Sequence, residues 1–135
     1  MGEKLVIFVD DEVDMHIVVR AGLKKICRER SLILECFENG KQCINYVDEN
    51  INNIEIILII SDLSMPIMDG YELLKQIKSK HQHIKVVISS AYDDDETTDK
   101  VKKLGASSFF SKPINFKTLI EKIEHIMDDA IATQE

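Results

Sequence analysis

Five short apolar runs alternate with five amphipathic stretches along this chain, and few folds accommodate that order. Leu5-Val6-Ile7-Phe8-Val9 and Ile56-Ile57-Leu58-Ile59-Ile60 are continuously apolar and rich in β-branched side chains, the pattern of strands covered on both faces. Leu32 to Phe37 is more mixed and belongs nearer a sheet edge, while Lys85 to Ser89 and Ser107 to Ser111 complete the set of strands. Between them the apolar spacing turns helical. Met15, Val19 and Ile26 recur at that spacing as far as Cys27, and Ile44 and Val47 face inward from a short helix over Gly40 to Val47. Leu73, Leu74 and Ile77 mark a third helix and Val101 and Leu104 a fourth, which Gly105 is placed to end. Asp93, Asp94, Asp95 and Glu96 gather at that helix's first turn, where the positive end of the dipole favours acids. Leu119, Ile120, Ile123, Ile126 and Met127 stripe the fifth.

Strict strand–helix alternation with buried strands means a parallel sheet covered on both faces, an α/β doubly wound domain. Five strands favour the flavodoxin-like (βα)5 order 2-1-3-4-5, in which strands one and three are neighbours and ligands sit beyond the strands' carboxyl ends. The 135 residues, 44% of them hydrophobic, suffice for one core. Residues 1–129 read as a single domain and 130–135 as a flexible tail.

A net charge of -7, with basic residues scattered among acids, leaves no surface suited to nucleic acid. The longest apolar run, Ile56 to Ile60, is far too short to span a bilayer, and the N-terminus has no secretory pattern. Cys27, Cys36 and Cys43 are odd in number, without metal-ligand or redox spacing, and read as small apolar fillers in a reducing compartment. A soluble, cytoplasmic protein is expected.

Function should therefore lie just after each strand. Strand one ends in Asp10-Asp11-Glu12, strand three in Ser61-Asp62-Leu63-Ser64, strand four in Ser89-Ser90-Ala91 and strand five in Ser111-Lys112-Pro113. Three carboxylates, a hydroxyl and an amine thus converge on one sheet edge. Each Asp alone could be a loop acid capping a helix; the set of residues from four strands is harder to explain that way. Packing Asp10, Asp11 and Asp62 together costs energy, because like charges raise one another's pKa. A hard divalent cation removes that cost, and magnesium binds through one or two carboxylates plus a phosphate while keeping several waters. A carboxylate can also act as nucleophile and form an aspartyl phosphate. Asp62 is the best acceptor because it sits between the acid pair and Ser90. Magnesium, the Lys112 ammonium and the Ser90 hydroxyl would then each take a phosphoryl oxygen.

The run Asp62-Leu63-Ser64-Met65-Pro66-Ile67-Met68-Asp69-Gly70 resembles the phosphoacceptor loop of bacterial response-regulator receiver domains of two-component systems. The Asp10-Asp11 pair, the Ser90-Ala91 step and Lys112-Pro113 match the other signature positions of that family, in order, over about residues 3 to 127. The resemblance implies that Asp62 is phosphorylated and that Asp11, Asp62 and the Ser64 backbone carbonyl ligate Mg2+, with Asp10 bound mainly through water. Lys112 would pair with the phosphoryl group, and its peptide bond to Pro113 is commonly cis in the family. Ser90 would be the switch hydroxyl and Phe109 the switch aromatic that turns inward when Ser90 moves, altering the surface of helix four, strand five and helix five. Phe109 could equally be ordinary strand packing. Implied partners are a sensor histidine kinase or phosphotransfer protein and a downstream output protein or domain. A homodimer formed on phosphorylation stays open. Such a chain is a switch that assists its own phosphorylation and slow dephosphorylation, rather than an enzyme.

Three other readings compete. A magnesium phosphohydrolase with a transient aspartyl phosphate typically carries a second acid two residues after the nucleophile, where this chain has Ser64. A flavodoxin-like FMN module needs a hydroxyl- and Gly-rich loop after strand one, where this chain has acids. A phosphorylation-independent binding module would not need the Asp and Lys set. Asp69 is expected to cap the third helix, with Pro66 and Gly70 shaping the loop before it. Tyr92, two residues beyond Ser90, could hinder an attacking water and slow dephosphorylation. His16, His81, His83 and His125 are expected on helices or their ends, away from the strand tips.

Overall fold

The structure, a computed structural model, describes the backbone of residues 3–134 and the side chains of residues 3–129. The tail expected over 130–135 lies outside those described side chains. Ten elements alternate without exception: β1 (Glu3–Val9), α1 (Val13–Arg30), β2 (Leu32–Phe37), α2 (Gly40–Asn50), β3 (Ile54–Ser61), α3 (Gly70–Lys80), β4 (Lys85–Ser90), α4 (Asp95–Lys103), β5 (Ser108–Ser111) and α5 (Phe116–Gln134). The strands form one parallel sheet in the order β2-β1-β3-β4-β5, as the alternation predicts, with β2 at an edge.

Side chains alternate across the strands, apart from an irregularity at Ile57 in β3, so the central strands feed two cores. Leu5, Ile7, Val9 and Ile59 face α2, α3 and α4, where Ile44, Val47, Leu73, Leu74, Ile77 and Val101 meet them. Val6, Phe8, Leu58 and Ile60 face α1 and α5, against Val19, Leu23, Ile26, Leu119 and Ile123. Each such side chain contributes roughly 1.5–3 kcal/mol relative to exposure. The result is a rigid slab whose strand ends are fixed in space.

Register decides which ends meet. Val9 lies opposite both Phe37 and Ser61, and Ser61 lies opposite Ile88. Asp10 and Asp62 therefore leave the sheet side by side. Asn39, Asp69 and Asp94 each accept the backbone N–H three residues on and so start α2, α3 and α4. The expected cap at Asp69 is present. α1 runs on past Cys27 to Arg30, through a polar turn that leaves no apolar signal, and Ser31 ends it in the left-handed conformation at φ 55°. Gly105, at φ 106°, follows the end of α4 as expected.

Candidate functional site

The ends of β1, β3 and β5 bring four charged side chains together. One carboxylate oxygen from each of Asp10, Asp11 and Asp62 lies within 4.8 Å of the others. Lys112 Nζ lies 3.0 Å from Asp10 Oδ2 and 3.3 Å from Asp62 Oδ2. Asp10 is wholly buried and Asp62 is 8% exposed, whereas Asp11 faces solvent. Backbone amides hold the remaining oxygens. Glu12 N–H donates to Asp10 Oδ1 at 2.9 Å, and Leu63 N–H donates to Asp62 Oδ1 at 2.8 Å. The main chain of Asp62 is fixed as well, its N–H donating to Val9 O and its carbonyl accepting from Ser61 Oγ.

Three carboxylates face one ammonium, so the cluster keeps an excess of negative charge in a place with little water. Burial pushes the Asp62 carboxyl above the usual carboxylate range and Asp10 adds to that, while Lys112 and the Leu63 N–H pull it back. Burial alone would lower the Lys112 ammonium, but Asp10 and Asp62 outweigh it and hold its pKa above the ordinary lysine value. These donors fit magnesium. All three are hard oxygens, and opposite ligands of an ion at about 2.1 Å would sit about 4.2 Å apart, so small side-chain rotations close the set.

The loop after β3 is shaped by its backbone. Gly70 N–H donates to Leu63 O at 2.9 Å, and a Cβ at Gly70 would fall inside the envelope of the Asp62 carbonyl oxygen. No other residue fits there. Ile67, β-branched and 82% exposed, sits at φ 68° within a tight turn closed by Met68 N–H on Pro66 O. That conformation is strained for such a residue. The periodic pattern of the sequence carries no sign of it.

The other expected site residues are placed with less contact. Ser90 ends β4, buried, and its Oγ accepts Tyr92 N–H at 3.0 Å rather than touching the acids. Phe109 lies half-buried on β5 against the α2–α3–α4 core. Ser64 is exposed on the loop after Asp62, and Tyr92 is largely exposed beside a groove that includes Ser64, Asp69 and Tyr71. The Lys112–Pro113 peptide is cis. One expectation is corrected. His16 is not remote from the strand tips, because its Nε2 lies 2.7 Å from the Asp10 backbone oxygen. Helical spacing alone did not reveal that the first turn of α1 folds back over the end of β1. His81 pairs instead with Asp48 at the far end of the sheet, and His125 with Asp129 on α5.

Comparison with known proteins agrees with this geometry. Residues 6–124 match the model of the response regulator receiver domain. The transcriptional regulatory protein YdfI of Bacillus subtilis is 37% identical over 121 residues, which are 88% of this chain and 53% of that protein. Sporulation initiation phosphotransferase F of the same organism is 28% identical over 124 residues, covering 92% of this chain and 93% of its own length. The chain thus spans about half of the first relative and nearly all of the second. The signal receiver domain of a putative LuxO repressor protein from Vibrio parahaemolyticus superposes with a TM-score of 0.82 at 23% identity, over 99% of this chain and 96% of that one. At that identity the likeness concerns the fold. No helix among the described residues is long and apolar enough to cross a membrane.

Proposed function

The chain belongs to the response regulator receiver domain family, and on that premise we propose that Asp62 accepts a phosphoryl group from a histidine kinase or phosphotransfer protein in a magnesium-dependent step. The observation that carries this is the convergence of Asp10, Asp11 and Asp62 around the Lys112 ammonium. Asp11, Asp62 and the Ser64 carbonyl would hold the ion, with Asp10 mainly through water; when bound, it neutralises charge developing on the phosphoryl oxygens.

The chain's own residues do the rest. The Leu63 N–H fixes one Asp62 oxygen, which leaves the carboxylate aimed outward with little freedom to rotate. An Asp62 oxygen bonds to phosphorus as the donor's bond to phosphorus breaks, and the leaving group departs with that electron pair. Lys112 is already an ammonium and exchanges its carboxylate contacts for a phosphoryl oxygen. Ser90 Oγ uses a lone pair for Tyr92 N–H, so its own proton is free to donate to another. Movement of Ser90 toward the phosphate would open space for Phe109 to turn inward. The face of α4, β5 and α5 would change with it and meet an output protein or domain. A full shift from off to on needs roughly 5 kcal/mol of differential binding, within reach of a group with three strong acceptor oxygens. Tyr92 beside the groove would restrict water and slow dephosphorylation.

Incubation of the chain with acetyl phosphate and Mg2+, read by intact mass, tests this reading. Wild type should gain one phosphoryl group, lost on chelation of the metal, and Asp62→Asn should gain none. Equal labelling of both proteins, or of neither, would overturn it.

A further inference from the structure

The first turn of α1 brings to the site a residue with no role in the reading above. We infer that His16 is a positioning residue for the metal-binding acids: its imidazole N–H fixes the peptide between Asp10 and Asp11 and so aims the Asp11 carboxylate toward Asp62. The inference rests on the magnesium reading and deepens it.

The backbone explains why a donor is needed there. Asp10 N–H still follows the sheet, donating to Phe37 O at 3.0 Å, and Asp62 N–H makes the regular ladder bond to Val9 O. No backbone N–H among the described residues reaches the Asp10 carbonyl, although its residue is wholly buried. A buried carbonyl requires a partner. His16 Nε2 stands 2.7 Å from it. Since a carbonyl oxygen only accepts, Nε2 must carry the hydrogen, which fixes the ring's protonation at that atom.

The ring is itself held. Side chains on a helix lean toward its N-terminus, which points His16 back over the β1–α1 turn. There the imidazole meets the buried Phe8 edge to face, with centroids 5.8 Å apart and planes at 84°. The donor is thus fixed from the core side rather than from solvent.

Asp11 depends on this arrangement more than its neighbours do. Asp10 is held by Glu12 N–H and Lys112, and Asp62 by Leu63 N–H and Lys112. Asp11 is exposed, and its carboxylate has no hydrogen bond among the described residues. Its direction is set by the peptides on either side. The one after it is held by Asp10 Oδ1, a carboxylate that must readjust when a cation arrives. The one before it is held by His16, which makes no contact with any acidic oxygen and stays in place.

The test is a titration of the full chain with Mg2+ alone, followed in 1H–15N spectra, for wild type, His16→Phe, His16→Gln and His16→Asn. Phe keeps the ring against Phe8 and removes the donor; Gln returns an N–H at similar reach; the Asn amide ends too short. Loss of an outer hydrogen bond commonly weakens a metal site by about 10- to 100-fold, and His16→Phe should lose about tenfold in Mg2+ affinity. His16→Gln should recover most of that and His16→Asn should not. A role confined to satisfying a buried carbonyl would lower the melting temperature of His16→Phe and His16→Asn and leave metal affinity unchanged. That result would overturn the inference while the magnesium reading stood. Wild type that binds no Mg2+ would overturn both.

Discussion

Lys112 has two duties that pull in opposite directions. It offsets the repulsion between Asp10 and Asp62 in the resting protein, at 3.0 and 3.3 Å, and it occupies lone pairs that a cation would otherwise use. Lys112→Ala should therefore bind Mg2+ more tightly while phosphorylation by acetyl phosphate slows on the order of 10²-fold, the usual loss when one charge-stabilising donor is removed. Metal titration and labelling rate, measured on the same sample, separate the two. A variant that loses both together would contradict this division. Asp62 carries a linked expectation. Its folded pKa lies above the unfolded value, so the native state holds the proton longer, and stability falls as pH rises through that interval. Lys112, also raised, has the same sign at higher pH, its contribution being complete at neutral pH and lost as pH climbs past its raised value. Asp62→Asn keeps an acceptor for Leu63 N–H and removes the charge. It should raise the melting temperature of the metal-free protein at neutral pH, with a gain that shrinks in acid where both wild-type states are protonated. A lower melting temperature at neutral pH would refute the repulsion. The acids and Lys112 were legible in the sequence because topology alone puts strand ends on one edge. His16 was not, since its partner is a backbone carbonyl and helical spacing says nothing about which turn folds back over a strand.

Among the elements, the β3–α3 connection sets the position of Asp62. Gly70 lets the start of α3 lie directly against the Asp62 carbonyl, closer than any Cβ allows. Gly70→Ala must displace that backbone or the helix. It should cost about 1–3 kcal/mol, as overpacking of a tight site does, and slow phosphorylation by moving Asp62 from the acids of β1. Urea unfolding and labelling rate measure the two effects, and an unperturbed variant would show the contact to be unimportant. The sequence marked Gly70 as a loop former without revealing what it lies against. It placed every strand and helix but shortened several. Glu3 and Lys4 extend β1 and α1 reaches Arg30 through residues too polar to register in an apolar pattern, and Glu55 cuts Ile54 off from the apolar run of β3. The helix starts at Asn39, Asp69 and Asp94 rest on local side-chain chemistry; the sequence marks Asp69 as a cap and Asp94 only as one of several acids favoured by the helix dipole.

For the molecule as a whole, two cores clamp the sheet so that an acid cluster can be held on its edge despite the repulsion. Ile59 and Ile60, one residue apart, are both fully buried and serve opposite cores. Strand order followed from strict alternation, and the doubly buried centre from the continuous apolar runs. Which partner the expected α4–β5–α5 face would meet did not follow, because exposed charges such as those of α4 fit many surfaces. A cation that relieves the cluster should stabilise the entire domain. At ten times its Kd, Mg2+ adds about 1.4 kcal/mol, or roughly 5 °C in a domain of this size. Equal ionic strength of NaCl should not reproduce it, and Asp11→Asn should abolish it. Calorimetry of the two proteins reads the difference, and an equal rise in both would remove Asp11 from the ligand set.

The most direct measurement is to locate the modified atom. After reaction with acetyl phosphate and Mg2+, borohydride reduces an aspartyl phosphate to homoserine, and peptide mapping finds where. A phosphoacceptor at Asp62 predicts homoserine at position 62 alone. Homoserine at position 10 or 11, or none anywhere, would contradict it.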